Sequence, residues 1–431
     1  MRARLAALLL PICALSLCAC GSDSSQSTVG QTTRTPTSIE GIAARPAPRG
    51  CAATVARTLG EVAERINRAA NTGSNVGEAV GRVRASKALR ASISADDAGA
   101  TRAALQALLL NQIARIQVLK GGRVFAAAGS GPAIAPVRGS IPTTGASFVL
   151  SVQAADSYLQ VTRQVTGAEV ALDTPFKRIA ATTAALPPLA RLRRSGPLRY
   201  GGRRYETTSV AGSAFPSGLL RISLLVGAAH LTCPGAAEQT RVETLGHVGE
   251  RIYREEAGSP YVIATRRHIE ADSGFQQAVA ARDNSAIRAA IVRFFGAHIH
   301  VVRVRAYAVE PSGAQRFLYD LGGPYVLAPV HGNVRSGGKL VGRFSFAIQD
   351  DAGYLRLAHL FTGAEVLMRV GPNAERRVMG TLDPGPAKVP HRGTVRYRGK
   401  SYQAYSFTGE AFPSGPLRIS LLTLARPPIE G

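Results

Sequence analysis

The chain has 431 residues, 45% of them hydrophobic, which is enough to fill cores in about two to three domains. Its 52 basic against 28 acidic side chains give a formal charge of +24, which favours anionic surfaces and ligands. No run of basic residues is interleaved with aromatics, which argues against nucleic acid as the partner, and much of the arginine surplus reads as solvated surface.

Arg2 and Arg4 precede an apolar stretch over 5–17 that is too short to span a bilayer, the pattern of an export signal. The sequence Leu17-Cys18-Ala19-Cys20-Gly21 follows and resembles the lipobox of bacterial lipoproteins. That resemblance implies removal of 1–19 and a lipid on Cys20; Cys18 fits less well behind the bulky Leu17. Residues 20–50 are rich in Ser, Thr, Gln, Gly and Pro and bury too little surface to offset ordering, so they read as a lipidated cysteine and a flexible tether. The expected location is the extracytoplasmic face of a cell membrane, held by lipid. Cys13 and Cys18 leave with the signal, so Cys51 and Cys233 remain as an even pair in an oxidising compartment. We expect them to be bonded to each other, with two free thiols as the alternative.

A repeat organises the rest. AGSAFPSGLLRISLL at 211–225 returns as TGEAFPSGPLRISLL at 408–422. The likeness extends to 58–66 against 244–252 and to 166–170 against 362–366, with about ten extra residues in the second copy, most of them between Tyr307 and Gly323. Two units result, 51–228 and 229–425. Each opens with helical periodicity, as in Val55, Leu59, Val62 and Ile66. Each continues with two-residue alternation, as in Phe148, Leu150 and Val152 or Phe344, Phe346 and Ile348, which marks a sheet packed on one face. The expected class is α+β, helices first and then an antiparallel meander.

The order of helices, then His-Ile-His-Val-Val-Arg-Val-Arg (298–305), then 332–335, 342–354 and Phe-Thr-Gly-Ala-Glu-Val (361–366) resembles the extracytoplasmic PAS-like sensor domains called Cache or PDC domains. The resemblance covers most of both units and implies two tandem PAS-like domains. It further implies a sheet with one face on a long helix and the other forming a ligand pocket. The aromatic-and-arginine motif by which some of these domains grip amino acids is absent, and the chain has no Trp.

On the strand near 303, alternation sends Arg303, Arg305, Tyr307 and Val301 to one face, with Val302 and Val304 on the other. Arg303, Arg305, Tyr307, Tyr325 and Arg343 are the candidate set for a small anionic ligand, because guanidinium binds carboxylates in bidentate geometry. Aligned on the repeat, the first copy has Gln117 and Leu119 where the second has Arg303 and Arg305, so the second copy is the expected binder. Asp350-Asp351 reads as a turn, and Phe215 and Phe412 as core residues. His298 and His300 would need His331 and more to hold zinc, so no metal and no cofactor is expected. Ser217 and Ser414 sit in Phe-Pro-Ser-Gly rather than in a nucleophile elbow, and no enzyme is expected. The reading is a lipid-anchored ligand-binding accessory of a membrane-embedded signalling partner. The alternative is a structural lipoprotein that docks on another envelope protein or an anionic wall polymer.

Overall fold

The computed structural model describes residues 49–425 except 111, 229–235, 297–300, 324–326, 372 and 374–375. The first copy begins with α1 (Arg49–Thr72). Its Val55, Leu59, Val62 and Ile66 are all buried, as their spacing predicts. After Gly73 come α2 (Ser74–Ala85), α3 (Lys87–Ser94) and α4 (Ala98–Leu109). Ser86 and Asp97 open α3 and α4 by accepting the backbone N–H groups of Leu89 and Ala100. The strands are β1 (Arg115–Lys120), β2 (Arg123–Ala128), β3 (Ala133–Ile134), β4 (Val137–Ser140), β5 (Ser147–Ser151) and β6 (Gln153–Ala154). Four of them form a sheet in the order β2-β1-β5-β4, and β3 pairs with β6. Helix α5 (Ala155–Thr166) intervenes. Then β7 (Glu169–Asp173), β8 (Arg178–Ala181), β9 (Ser195–Tyr200), β10 (Arg203–Ser213) and β11 (Leu219–Gly227) form a second sheet, β8-β7-β11-β10-β9.

The second copy repeats the plan. Its helices α6 (Ala237–Gly258), α7 (Pro260–Ala271), α8 (Ser273–Ala281) and α9 (Asn284–Gly296) lead into β12 (Arg303–Val309), β13 (Gln315–Gly322), β14 (Val330–Ser336) and β15 (Lys339–Ala347). This four-stranded sheet has the order β13-β12-β15-β14. Beyond α10 (Asp351–Thr362), β16 (Glu365–Val370), β17 (Arg376–Gly380), β18 (Arg392–Tyr397), β19 (Lys400–Glu410) and β20 (Pro416–Leu424) pair as β17-β16-β20-β19-β18. The fold is α+β, with N-terminal helices followed by antiparallel strands in each copy. The strands do not form one continuous meander, because α5 and α10 divide them into two sheets per copy. Asp350 and Asp351 therefore start a helix: the Asp350 carboxylate accepts the Gly353 N–H.

Each four-stranded sheet packs one face on its own short helices. In the second copy Val304, Ala306, Phe344 and Phe346 meet Phe275, Ile291 and Phe294. The largest core is shared between the copies. Helix α1 supplies Val55, Leu59 and Val62, α6 supplies Val242, Leu245 and Val248, and the five-stranded sheets add Ile222, Leu224, Ile419 and Leu421.

Matching contacts relate the two halves. Tyr158 donates to the Ala63 carbonyl at 2.9 Å, and Tyr354 to that of Gly249 at 3.0 Å. The Arg251 guanidinium donates to the Thr166 carbonyl, and Arg65 lies against Gly363 in the mirrored place. Gly167 and Gly363 both have left-handed backbone (φ 70° and 64°), and a Cβ there would come within 2.6 and 2.9 Å of these guanidiniums. Helix α5 touches α1 at Ala63 and α6 at Arg251, and Cys51 near the start of α1 lies beside Thr240 near the start of α6, so the two long helices run side by side in one direction. Among the described residues no helix is long and apolar enough to cross a membrane.

Candidate functional site

Strand β12 buries Val304, Ala306 and Ala308 against the helices and turns Arg303, Arg305 and Tyr307 to the opposite face. Val301 does not join them: it precedes the strand and packs in the helix-side core. Register then builds the outer face. Ser345 and Arg343 of β15 lie opposite Arg305 and Tyr307, and His331 and Asn333 of β14 lie opposite Ser345 and Arg343. On the other side Asp320 and Phe317 of β13 lie opposite Arg305 and Tyr307.

Asp320 changes the expected chemistry. It accepts Arg303 Nε and Nη2 at 2.8 and 2.6 Å, and Arg305 Nε and Nη2 at 2.9 and 2.5 Å. Burial alone would raise its pKa, but these two guanidiniums outweigh it and hold the carboxyl below its ordinary value. Arg303 also donates to the Gly323 carbonyl. Both guanidiniums lie over the Phe412 ring, at 4.9 and 5.7 Å from its centroid. Arg303 and Arg305 are therefore committed within the protein. Strand register also corrects the pairing of the two copies expected from sequence. Arg115 faces Ser151 as Arg303 faces Ala347, so Arg115, not Gln117, is the counterpart of Arg303. Arg115 likewise donates to a glycine carbonyl, Gly131, and lies 5.0 Å from the Phe215 ring centroid. The Arg303 arrangement is a repeated structural feature. Gln117 stands where Arg305 does.

Tyr307 and Arg343 remain together in a polar cleft of about 310 Å³, lined also by Gln315, His331, Asn333, Ser345 and Ser414. Arg343 is exposed and has no ion pair among the described residues. His331 links Ser345 Oγ at 2.9 Å to Glu410 Oε1 at 3.2 Å. In this line the serine is the buried member and the carboxylate the exposed one. Tyr325, His298 and His300 lie outside the described residues, as do Cys20 and Cys233. Among the described residues no group of His, Cys, Asp and Glu could hold a metal ion.

A second cleft of about 300 Å³ lies across the 411–415 turn, lined by Leu327, Met368, Val370, Phe412, Leu417 and Asp351. Asp351 is buried, accepts a backbone hydrogen bond from Leu327, and leaves Oδ1 without a partner. Burial, reinforced by the Asp350 charge, holds its carboxyl up at about 7. The turn between the clefts is the repeated Ala-Phe-Pro-Ser-Gly. In each copy it closes by a hydrogen bond from the alanine N–H to the glycine carbonyl, Ala214 to Gly218 and Ala411 to Gly415. Phe215 and Phe412 are half-buried beneath arginines rather than core residues, a correction to the sequence reading.

No protein-family model and no curated protein matches the chain. Among solved structures it is similar to the periplasmic domain of LuxQ from Vibrio cholerae, with 12% identity over 43% of this chain and 100% of that one, at a TM-score of 0.28. An extracellular ligand binding receptor from Desulfohalobium retbaense shares 10% identity over 53% of this chain and 47% of its own, at a TM-score of 0.27. The ligand binding domain of the Pseudomonas aeruginosa amino acid chemoreceptor PctC, solved in complex with GABA, shares 15% identity over 42% of this chain and 98% of its own, at a TM-score of 0.23.

Proposed function

We propose that this protein is a lipid-anchored, extracytoplasmic ligand-binding accessory of a membrane sensory system, and that it takes a small anionic ligand in the cleft at Tyr307 and Arg343 of the second copy. The carrying observation is the contrast between neighbouring arginines. Arg303 and Arg305 both spend their guanidinium donors on Asp320, whereas Arg343 faces a polar cleft of about 310 Å³ with no ion pair among the described residues. A guanidinium there offers bidentate donors, with Tyr307 and Asn333 beside it to orient a carboxylate. A thermal-shift titration of the purified protein with small carboxylates tests this. A binder raises the melting midpoint with concentration, and Arg343→Ala abolishes that rise while leaving the unliganded midpoint unchanged. Failure of every carboxylate to shift the midpoint would favour docking onto an envelope protein or wall polymer.

Acylation of Cys20 and a Cys51–Cys233 bond belong to the same proposal. Supporting the bond, Cys51 Sγ lies 4.0 Å from Thr240 Oγ1, seven positions after Cys233 in sequence. Intact-mass measurement of the membrane-extracted protein without reduction checks both: a free thiol at Cys51, or an unmodified Cys20, contradicts the corresponding part.

A further inference from the structure

Two hairpins carry six exposed basic side chains to the end of the molecule at which the 1–48 segment joins the fold. The β9–β10 turn carries Arg199, Arg203 and Arg204, and the β18–β19 turn carries Arg396, Arg398 and Lys400; all six are exposed. No acidic residue occurs between Asp173 and Glu206, or between Asp383 and Glu410. Along β10 and α6 the acidic side chains nearest this end are Glu206, Glu238 and Glu243: Glu206 and Glu243 are buried, Glu243 is taken by Arg392, and Glu238, in the first turn of α6, is half-buried, so the six exposed cations outnumber it.

Helix-to-strand contacts place both hairpin tips at one end. Gly60 of α1 faces Thr208 and Val210, and Asn67 faces Gly212. At about 1.5 Å per helical residue and about 3.3 Å per strand residue, the start of α1 is level with Arg203 and Arg204. In the second copy Gly246 faces Tyr405 and Tyr253 bonds to Glu410, so the start of α6 is level with Lys400. Helices α1 and α6 run in the same direction, and Cys51 near the start of one lies beside Thr240 near the start of the other. The pseudo-symmetry of the shared core thus doubles one cationic hairpin into a pair at the end that the preceding segment reaches.

We propose that this end is a membrane-docking surface for anionic phospholipid headgroups, with the six hairpin cations as its contacts. It rests on the proposed lipid anchor for its orientation in the cell, but the surface itself acts without the anchor. Short-range attraction to an anionic leaflet is worth roughly fivefold in binding per basic residue, and it is screened by salt.

The test uses residues 49–425, within which every core described above is complete. The fragment should co-sediment with vesicles containing phosphatidylglycerol at low salt, should be released at high salt, and should not sediment with pure phosphatidylcholine. Replacing Arg199, Arg203 and Arg204 by serine, or Arg396, Arg398 and Lys400 by serine, should each weaken binding on the order of 10–100-fold with an unchanged melting midpoint. Serine at Arg102, Arg123 and Arg138, exposed residues of the first copy's α4 and four-stranded sheet, should leave binding intact. Equal binding to both vesicle types, retention by both hairpin variants, or binding to an anionic wall polymer in place of vesicles would overturn the proposal. Failure of Cys20 acylation is read separately, by mass, and leaves the vesicle result standing.

Discussion

Two buried carboxyls, Asp351 and Glu256, are held well above the ordinary carboxylate range. Asp351 lines the apolar cleft beside Phe412, and Glu256 faces the slot between α6 and α5 with Val161, Val165 and Phe361. Burial holds each at about 7, helped by the charge of Asp350 in one case and Glu255 in the other. Both folded values lie above the unfolded ones, so the native state binds the extra protons between about pH 4 and pH 7. The stability they contribute is complete at the acid end of that window and is lost as pH rises through about 7. Asp351→Asn and Glu256→Gln should therefore each raise the melting midpoint at about pH 8, by about 2–4 °C, and should flatten its fall from about pH 5. Midpoints of either variant that track the wild type across this range would contradict the assignment. Asp320 behaves in the opposite sense, since Arg303 and Arg305 hold it ionised.

At the scale of elements, much of the chain was legible from periodicity. The α1 spacing of Val55, Leu59, Val62 and Ile66 and the β15 alternation of Phe344 and Phe346 appear as read, because burial on one face leaves a periodic trace. Helix α10 was not legible as such: its Asp350-Asp351-Ala-Gly start has the composition of a turn, and only the buried Tyr354, Leu355, Leu357, Ala358 and Phe361 show the helical period. The candidate site was half legible. Alternation found Arg303, Arg305 and Tyr307, but their partner Asp320 depends on register across the β12–β13 hairpin, which passes through a bulge at Ala306 and Tyr307. The repeated Phe-Pro-Ser-Gly turn gains a role that its sequence alone did not show, as a ring platform for arginine. Phe215→Ala and Phe412→Ala should each destabilise by about 1–3 kcal/mol, through lost burial and lost cation–π contact, as read by chemical denaturation. Loss confined to one of the two would show that the copies do not use the turn alike.

At the scale of the molecule, the duplication is an internal pseudo-dimer rather than two beads on a string. Helices α1 and α6 share one core, α5 and α10 reach across to the long helix of the other copy, and Arg65 and Arg251 sit in matching positions against Gly363 and Gly167. Neither face of α1 or α6 can be left in water without exposing a row of Val, Leu and Ile. A fragment of residues 49–228 should therefore aggregate or lack a cooperative transition, and mixing it with residues 229–425 should restore one; a stable, monomeric 49–228 would refute the shared core. The copies have diverged on this common frame. Asp320, Arg305 and Asp351 stand where the first copy has Ala127, Gln117 and Ala155, and Tyr307 and Arg343 open on the cleft of the second. The central claim is that this second-copy cleft binds a small anion through Arg343. The most direct measurement is the thermal-shift titration of wild type, Arg343→Ala and Arg305→Gln with a panel of small carboxylates. The account predicts at least one carboxylate that raises the wild-type midpoint in proportion to its concentration, an effect kept in Arg305→Gln and lost in Arg343→Ala. A ligand shift that survives Arg343→Ala, or no shift with any carboxylate, would contradict it.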